Sequence, residues 1–536
     1  LLNNIYGVDI DSQAVEVTKL SLLLKVLEGE SRQTLSPQLA LLPDRVLPDL
    51  AANIRCGNSL IGPDFYEGQM ALLDEEEAYR VNVFDWQAAF PHVFAEGGFD
   101  AVIGNPPYIR IQHMKEWAPI EVEFYKRRYR SASKGNYDIY VVFVEKGLSL
   151  LRKEGLLGYI LPHKFFNAKY GAELRQQIAA GRHLQHIVHF GDRQVFSGAT
   201  TYTCLLFLSG QPQLHFEFVK ADDLDGWRAG EEQLSGRVDA EQAEGGEWNF
   251  VVGRGAALFE RLREMPIRLG DAADIFVGLQ TSADKLYVLE SVGHLPDGQV
   301  AVRDSLGRDW QLERRYLKPF LYHSTIQSFA SPQPRHWLVF PYELSNARAE
   351  LVSSSELQRN APATWEYLKS NEKQLRGRES GKANTSAWYG YIYRKNLALF
   401  EDPKLIVQVI SENGKYAPDF NSLYFTGGGN GPYYGIRWQR NENHSLLYLQ
   451  GLLDSKLLDF VLHRVSSPFR GGYWSYGKRF IEQLPIRTID FDDRADAARH
   501  ERMVALVQRM LDLHKRLAAA SLPQDKELLQ RRIDAT

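Results

Sequence analysis

Four consecutive residues, Asn105-Pro106-Pro107-Tyr108, bring hydrogen-bond acceptors, two prolines and an aromatic ring to one point of the chain. They follow the apolar run Phe99-Asp100-Ala101-Val102-Ile103, which reads as a strand that stops abruptly. Proline has no N–H and a fixed φ. The backbone before each is therefore held extended, and the carbonyls of Asn105 and Pro106 can face outward from a sheet edge. Such a place suits an exocyclic amino group. The Asn105 side-chain oxygen and the Pro106 carbonyl accept its two N–H donors, its lone pair is directed at an electrophile, and its ring stacks on Tyr108. Positioning then carries much of the barrier reduction, with no general base required. The bland alternative is a rigid loop after a strand; a place at the carboxyl edge of an open α/β sheet, where ligands bind, favours chemistry.

Two further segments add to this. In Gly7-Val8-Asp9-Ile10-Asp11 a carboxylate ends a strand, where it can accept from both hydroxyls of a ribose, and Asp9 is the candidate. Asp11 reads as sharing the cap of the next helix with Ser12, and a capping role for both aspartates is the alternative. In Ile54-Arg55-Cys56-Gly57-Asn58-Ser59-Leu60, Asn58 could bond a cofactor base or be an ordinary turn residue. His163 and Lys164 read as presented to phosphate or solvent and are assigned no chemistry.

These residues need a scaffold. From residue 5 to about 210, β-branched runs at Ile5–Ile10, Phe99–Ile103, Leu156–Leu161, His183–Phe190 and Tyr202–Leu208 alternate with helical spacing over Ser12–Leu27 and Asp138–Leu151. That is the pattern of an α/β domain with a parallel sheet, expected over 1–210. The polar stretch Gly230–Glu247 suggests a connecting region over 211–265, and short strands with aromatics and turns suggest an α+β domain over 266–490. A helical tail over 491–536 carries Met503, Leu506, Met510, Leu513 and Leu517 along one seam. A helical hairpin is preferred there over a free coiled coil.

The 536 residues are 44% hydrophobic and 24% charged, as in ordinary globular proteins, with no apolar run near the roughly 18 residues that span a bilayer. A membrane protein is not expected. The net charge of −4 argues against indiscriminate polyanion binding, so a nucleic-acid site would be a local basic surface. Cys56 and Cys204 read as buried thiols, no metal site is expected, and a reducing cytoplasm fits best. The absence of an initiator Met and of a C-terminal cap suggests a piece of a longer protein.

In order along the chain, Asp9, Asn58, Asn105–Tyr108, Asp138-Ile139-Tyr140, Gly155–Pro162 and Val195–Thr203 resemble the motifs of class I, S-adenosylmethionine-dependent adenine-N6 methyltransferases, specifically the Type IIG, Eco57I-like restriction-modification group. The resemblance implies a Rossmann-like sheet and a cofactor site at Asp9, Ile10, Asn58, Ser59 and Asn105. It also implies a flipped adenine held between Tyr108 and Phe196. Phe196 could instead be a hydrophobic anchor, with Tyr202 as the competing stacker. The family's glycine loop, expected roughly 20 residues before Asp9, is absent. The strand that precedes that loop in the family lies between those ending at Asp9 and Asn105, so the two halves are expected not to hydrogen-bond directly and the cofactor to bind poorly.

Residues 270–490 resemble a TaqI-type specificity domain, through Val277–Lys285, Leu317–Leu321, Leu375–Arg378, Leu452–Lys456 and Gln483–Ile486. The implied partner is double-stranded DNA. Arg376, Arg378, Lys382, Arg394 and Lys395 interleave with Trp388, Tyr389, Tyr391 and Tyr393, a pattern that suits DNA contact or charged loops beside a core. Lys126, Arg127, Arg128, Arg130 and Lys134 form a second basic cluster, read as a mobile loop over the flipped base. The glycine run Gly427-Gly428-Gly429-Asn430-Gly431 reads as a flexible loop. An endonuclease would have to lie outside these residues or in a partner. The open alternatives are a protein-glutamine methyltransferase and a DNA-specificity module without catalysis.

Overall fold

The computed structural model describes residues 1–28, 48–67, 74–196, 201–295, 298–345, 348–427, 432–439, 444–469 and 471–536. The chain divides into two units, Leu1–Arg254 and Gly255–Thr536.

In the first unit, β1 (Gly7–Asp9) and β2 (Ile54–Cys56) pair in parallel, with Asp9 opposite Cys56. The helix Ser12–Leu27 follows, with the bounds its periodicity predicts. Its cap is Asp11, which accepts from the Gln13 N–H at 2.8 Å, while Ser12 is the first helical residue rather than a cap. Val15, Leu22 and Leu23 pack with Leu50 and Ile54. On another face Val17, Leu20 and Leu24, spaced along the helix, are 63%, 58% and 59% exposed.

A separate six-stranded sheet has the order β3 (Phe99–Gly104), β4 (Leu151–Pro162), β6 (Thr203–Ser209), β5 (Leu184–His189), β7 (His215–Lys220) and β8 (Leu234–Asp239). β3 and β4 run parallel, linked in sequence through the helix Tyr140–Leu150, and β6 lies antiparallel between β4 and β5. Val141, Leu157, Leu161, Ile187 and Leu206 are fully buried beneath it. β3 is one of the two outer strands, and Ile103 on it is 85% exposed. Among the described residues no ladder joins β1 to β3, as the sequence led us to expect.

The stretch 211–265, expected as a connection, instead supplies β7 and β8. β8 is an edge strand whose one fully buried side chain is Val238, so its sequence reads as polar. Trp248 and Phe250 then return to pack on Phe166 and Phe216. Cys56 is exposed rather than buried, because the small sheet leaves it uncovered; Cys204 is buried, and burial pushes its thiol up.

The second unit carries a mixed six-stranded sheet and an antiparallel four-stranded one built on Lys404–Gln408, Tyr416–Asp419, Tyr433–Trp438 and Ala273–Val277. Its core is rich in buried tyrosines, among them Tyr287, Tyr391 and Tyr424. Helices Arg494–Ala519 and Pro523–Ala535 form a hairpin in which Leu513 packs with Leu529 and Ile533. Leu506 lies off that seam, 37% exposed. No helix among the described residues is long and apolar enough to cross a membrane.

Candidate active site

Asn105 follows the carboxyl end of β3, where parallel pairing sets Gly104 opposite Tyr159 of β4. A Cβ at Gly104 would lie 3.0 Å from the Tyr159 ring, so the glycine lets the strand end close on its neighbour. Pro106 is buried and anchors the turn, while Asn105 and Pro107 are exposed. The loop is then stitched to the start of the next element: the Ile139 N–H donates to the Ile109 carbonyl at 2.9 Å, and the Ile111 N–H to the Tyr137 carbonyl at 2.9 Å.

Tyr108 is half-buried. Its hydroxyl donates to Asn105 Oδ1 at 2.8 Å, with the Ile160 carbonyl at 3.2 Å sharing the same proton. Burial pushes the phenol up to about 12, so near neutral pH it remains a donor and not a base. Behind it stands Tyr140, 6.4 Å away between ring centroids and nearly perpendicular at 84°. The Tyr140 and Tyr170 hydroxyls are 2.8 Å apart, and Tyr170 donates to Asp138 Oδ2 at 3.2 Å. Tyr170, missed in the sequence, stands 30 residues from its tyrosine partner, and no local pattern marks it.

Of the proposed cofactor residues, Asp9, Ile10, Asn58 and Ser59 gather at the other sheet, while Asn105 stands at the end of β3. The Gly57 N–H donates to the Asp9 carbonyl at 2.8 Å, bringing the ends of β1 and β2 together. Asp9 is exposed, and one of its oxygens accepts from the Asp11 N–H at 2.9 Å. A carboxylate has roughly four acceptor sites, so capacity for two ribose hydroxyls remains. Ile10 beside it is 54% exposed. Asn58 is buried instead: Oδ1 accepts from the Leu60 N–H at 3.1 Å, and the Tyr125 hydroxyl also bonds it. It builds the turn, and the Ser59 carbonyl accepts from Trp86 Nε1 at 3.0 Å.

Phe196 is half-buried at the edge of the described residues, and Ser197–Thr200 of its motif lie outside them, as does Gly428–Gly431 of the glycine run. Tyr202 lies 6.3 Å from His163 in a stacked arrangement.

The basic clusters divide. Lys126, Arg127 and Arg128 end the helix Pro119–Arg128, and Arg130 opens a short 3-10 turn, so this is a helical rather than a loop segment. Arg128 pairs with Asp64 at 2.7 Å; Arg130 and Lys134 both pair with Glu173, whose carboxyl Lys134 foremost and Arg130 hold below the usual range. Lys126 lies 3.7 Å from Glu123, and Arg127 lies over Phe124. In the second unit Arg378 is buried and donates to the carbonyls of Leu375, Thr281, Trp388 and Gly390, a role in folding that removes it from any DNA-facing surface. Trp388, Tyr389 and Tyr391 are likewise core. Arg376 pairs with Glu372 at 2.8 Å. Lys382, Arg394, Lys395 and Tyr393 are exposed. Among the described residues no cluster of His, Cys, Asp or Glu could hold a metal.

Residues 3–196 match the family described as Eco57I restriction-modification methylase. Over 99% of its length the chain is 29% identical to the Type II restriction enzyme and methyltransferase RM.Eco57I of Escherichia coli, of which it spans 52%, about half. It is 24% identical to the Type II methyltransferase M.PaeR7I of Pseudomonas aeruginosa, over 77% of the chain and 68% of that protein. In fold it is similar to the Type IIL restriction-modification enzyme MmeI, solved in complex with DNA, at a TM-score of 0.55 and 11% identity, covering 99% of this chain and 63% of that one. β1, β2, β3 and the Asn105–Tyr108 turn all lie inside the segment that matches the Eco57I restriction-modification methylase family.

Proposed function

We propose that the chain is the modification portion of a restriction-modification enzyme, methylating the N6 amino group of an adenine flipped out of double-stranded DNA. The observation that carries this is the strand-end turn: Asn105 and Pro106 place two acceptors beside a half-buried Tyr108 that is braced from behind by Tyr140. Asn105 Oδ1 and the Pro106 carbonyl accept from the amino group and leave its lone pair directed away from both. Tyr108 stacks on the base, and Phe196 closes on its other face.

Asp9 and Ile10 fit the nucleoside part of S-adenosylmethionine: an exposed carboxylate with unused acceptor sites stands next to an exposed apolar side chain. Asn58 fits less well, since its side chain is engaged in its own turn. When bound, the cofactor supplies an electrophilic methyl group on a sulfonium. The chain's own contribution is to hold the nucleophile.

The edge of β3, with Ile103 bare, and the uncovered face of Val17, Leu20 and Leu24 support a further point. A strand pairing between β1 and β3 would complete the cofactor half, and the loop following it would hold the methionine end. The second unit is read as the target-recognition part, with Lys382, Arg394, Lys395 and Tyr393 as its exposed candidates for DNA contact. Any endonuclease activity would come from sequence beyond these residues or from a partner.

The test, on the protein in its natural full length, is transfer of labelled methyl groups to duplex DNA, followed by nucleoside analysis. N6-methyladenine in the wild type and its loss in Asn105→Ala are expected; another methylated nucleoside, or undiminished transfer in the variant, would reject the reading.

A further inference from the structure

Two histidines outside the methyl-transfer chemistry touch the loop that carries Phe196 at both of its ends. His163 follows Pro162 directly at the carboxyl end of β4, and His189 ends β5. Their ring centroids are 4.1 Å apart. His163 Nε2 lies 3.0 Å from the Gly191 carbonyl, which can only accept, so that nitrogen carries the proton. The Gly191 N–H donates to His189 Nδ1 at 3.1 Å, so that nitrogen is bare. One peptide residue thus fixes the protonation of both rings. Gly191 has φ +57°, a left-handed turn that glycine adopts without strain. At the loop's far end the His163 N–H donates to the Tyr202 carbonyl at 3.2 Å, and the two rings stack.

We propose that His163 and His189 are positioning residues, a clamp on Gly191 and Tyr202 that sets the stretch from Gly191 to Phe196 and releases it when His189 takes up a proton. The clamp itself is read from geometry, while its purpose rests on the assignment of Phe196 to the target base. Protonating His189 at Nδ1 replaces an acceptor by a second donor facing the Gly191 N–H, and that bond is lost. Protonating His163 leaves its Nε2–H in place but sets a cation against the neighbouring ring.

The groups facing His189 agree with a neutral ring. His163 stands against it from the turn after β4, the thiol of Cys204 lies opposite on β6, and Lys220 lies opposite on β7. Lys220 pairs with Asp222 at 2.8 Å, which offsets its charge. Burial first, then His163 and Lys220, push His189 well below the usual histidine range; burial lowers His163 too. The sign follows. Above the ordinary value of about 6.5 both clamped and open forms are neutral, and the clamp is at full strength. As pH falls below it the open form gains a proton that the clamped form refuses, so the clamp weakens by up to about tenfold per pH unit.

Arg193, exposed within the loop, gives a direct readout. Tryptic cleavage after Arg193 in the full chain is measured by mass spectrometry from pH 7.5 to 5.5, normalised at each pH to a free peptide of the same sequence. Wild type is expected to resist at pH 7.5 and open as pH falls. His189→Phe and His163→Phe should be cut about tenfold faster at pH 7.5, a loss equivalent to one or two hydrogen bonds. His189→Asn, whose amide oxygen replaces Nδ1, and His163→Gln, whose amide N–H replaces Nε2–H, should restore resistance, and His189→Asn should also flatten the pH dependence. Ring-labelled histidine NMR should show His189 bare at Nδ1, assigned by the signal lost in His189→Asn. Wild-type cleavage rates in folded phenylalanine variants, or a protonated Nδ1 at pH 7.5, would overturn the clamp. Undiminished methylation in Phe196→Ala would instead reject the loop's assignment to the base and leave the clamp standing.

Discussion

The two sheets of the first unit place their chemistry in opposite ways. The six-stranded sheet grips its residues: Pro106 is buried, Tyr108 is tied to Asn105 and braced by Tyr140, and a continuous apolar core lies beneath. The small β1–β2 sheet presents Asp9 and Ile10 in the open, over a core of Val15, Leu50 and Ile54. A site that orients an amino group must be rigid before the substrate arrives, whereas a cofactor edge can be completed by chain that packs on it.

The largest effect that tests this contrast is on stability. Leu206→Ala, beneath β6, should cost about 2–5 kcal/mol by chemical denaturation, because its fully buried side chain leaves a cavity. A cost under 1 kcal/mol would mean the large sheet is no more rigid than the small one. Next comes Asn105→Ala, whose exposed side chain should leave stability nearly unchanged while methyl transfer drops by about 10²–10³-fold, the usual loss for one preorganised polar contact. Tyr108→Ala should lose about 1–3 kcal/mol of base stacking, read from binding to DNA carrying 2-aminopurine at the target position. Tyr108→Phe keeps the ring and loses the hydroxyl's shared bond to Asn105 and the Ile160 carbonyl, about 0.5–1.5 kcal/mol. Equal losses in the two Tyr108 variants would put the hydroxyl, not the ring, at the centre of the site. Smallest of all, Leu20→Ser on the uncovered helix face should change the stability of these 536 residues by no more than about 0.5 kcal/mol.

What could be read in advance was local. A strand halted by two prolines, and a carboxylate ending another strand, are signals held within ten residues, and Asp9 and Asn105–Tyr108 stand where those signals put them. The interleaved arginines and aromatics of 376–395 were ambiguous because a buried guanidinium that satisfies four carbonyls needs aromatic neighbours as much as a DNA surface does. Burial decides between them, and burial is tertiary. β8 was hidden for the opposite reason, since an edge strand shows too few apolar positions to betray a period. Tyr170 behind Tyr140, and His189 against His163, join residues 30 and 26 positions apart through packing that no single stretch of sequence records.

The most direct test of the central claim is a map of modified bases in host DNA, made with the protein in its natural full length and with its Asn105→Ala variant. The strand-end site predicts N6-methyladenine at one recurring sequence with the wild type and none with the variant. Adenine methylation that persists in Asn105→Ala would contradict it.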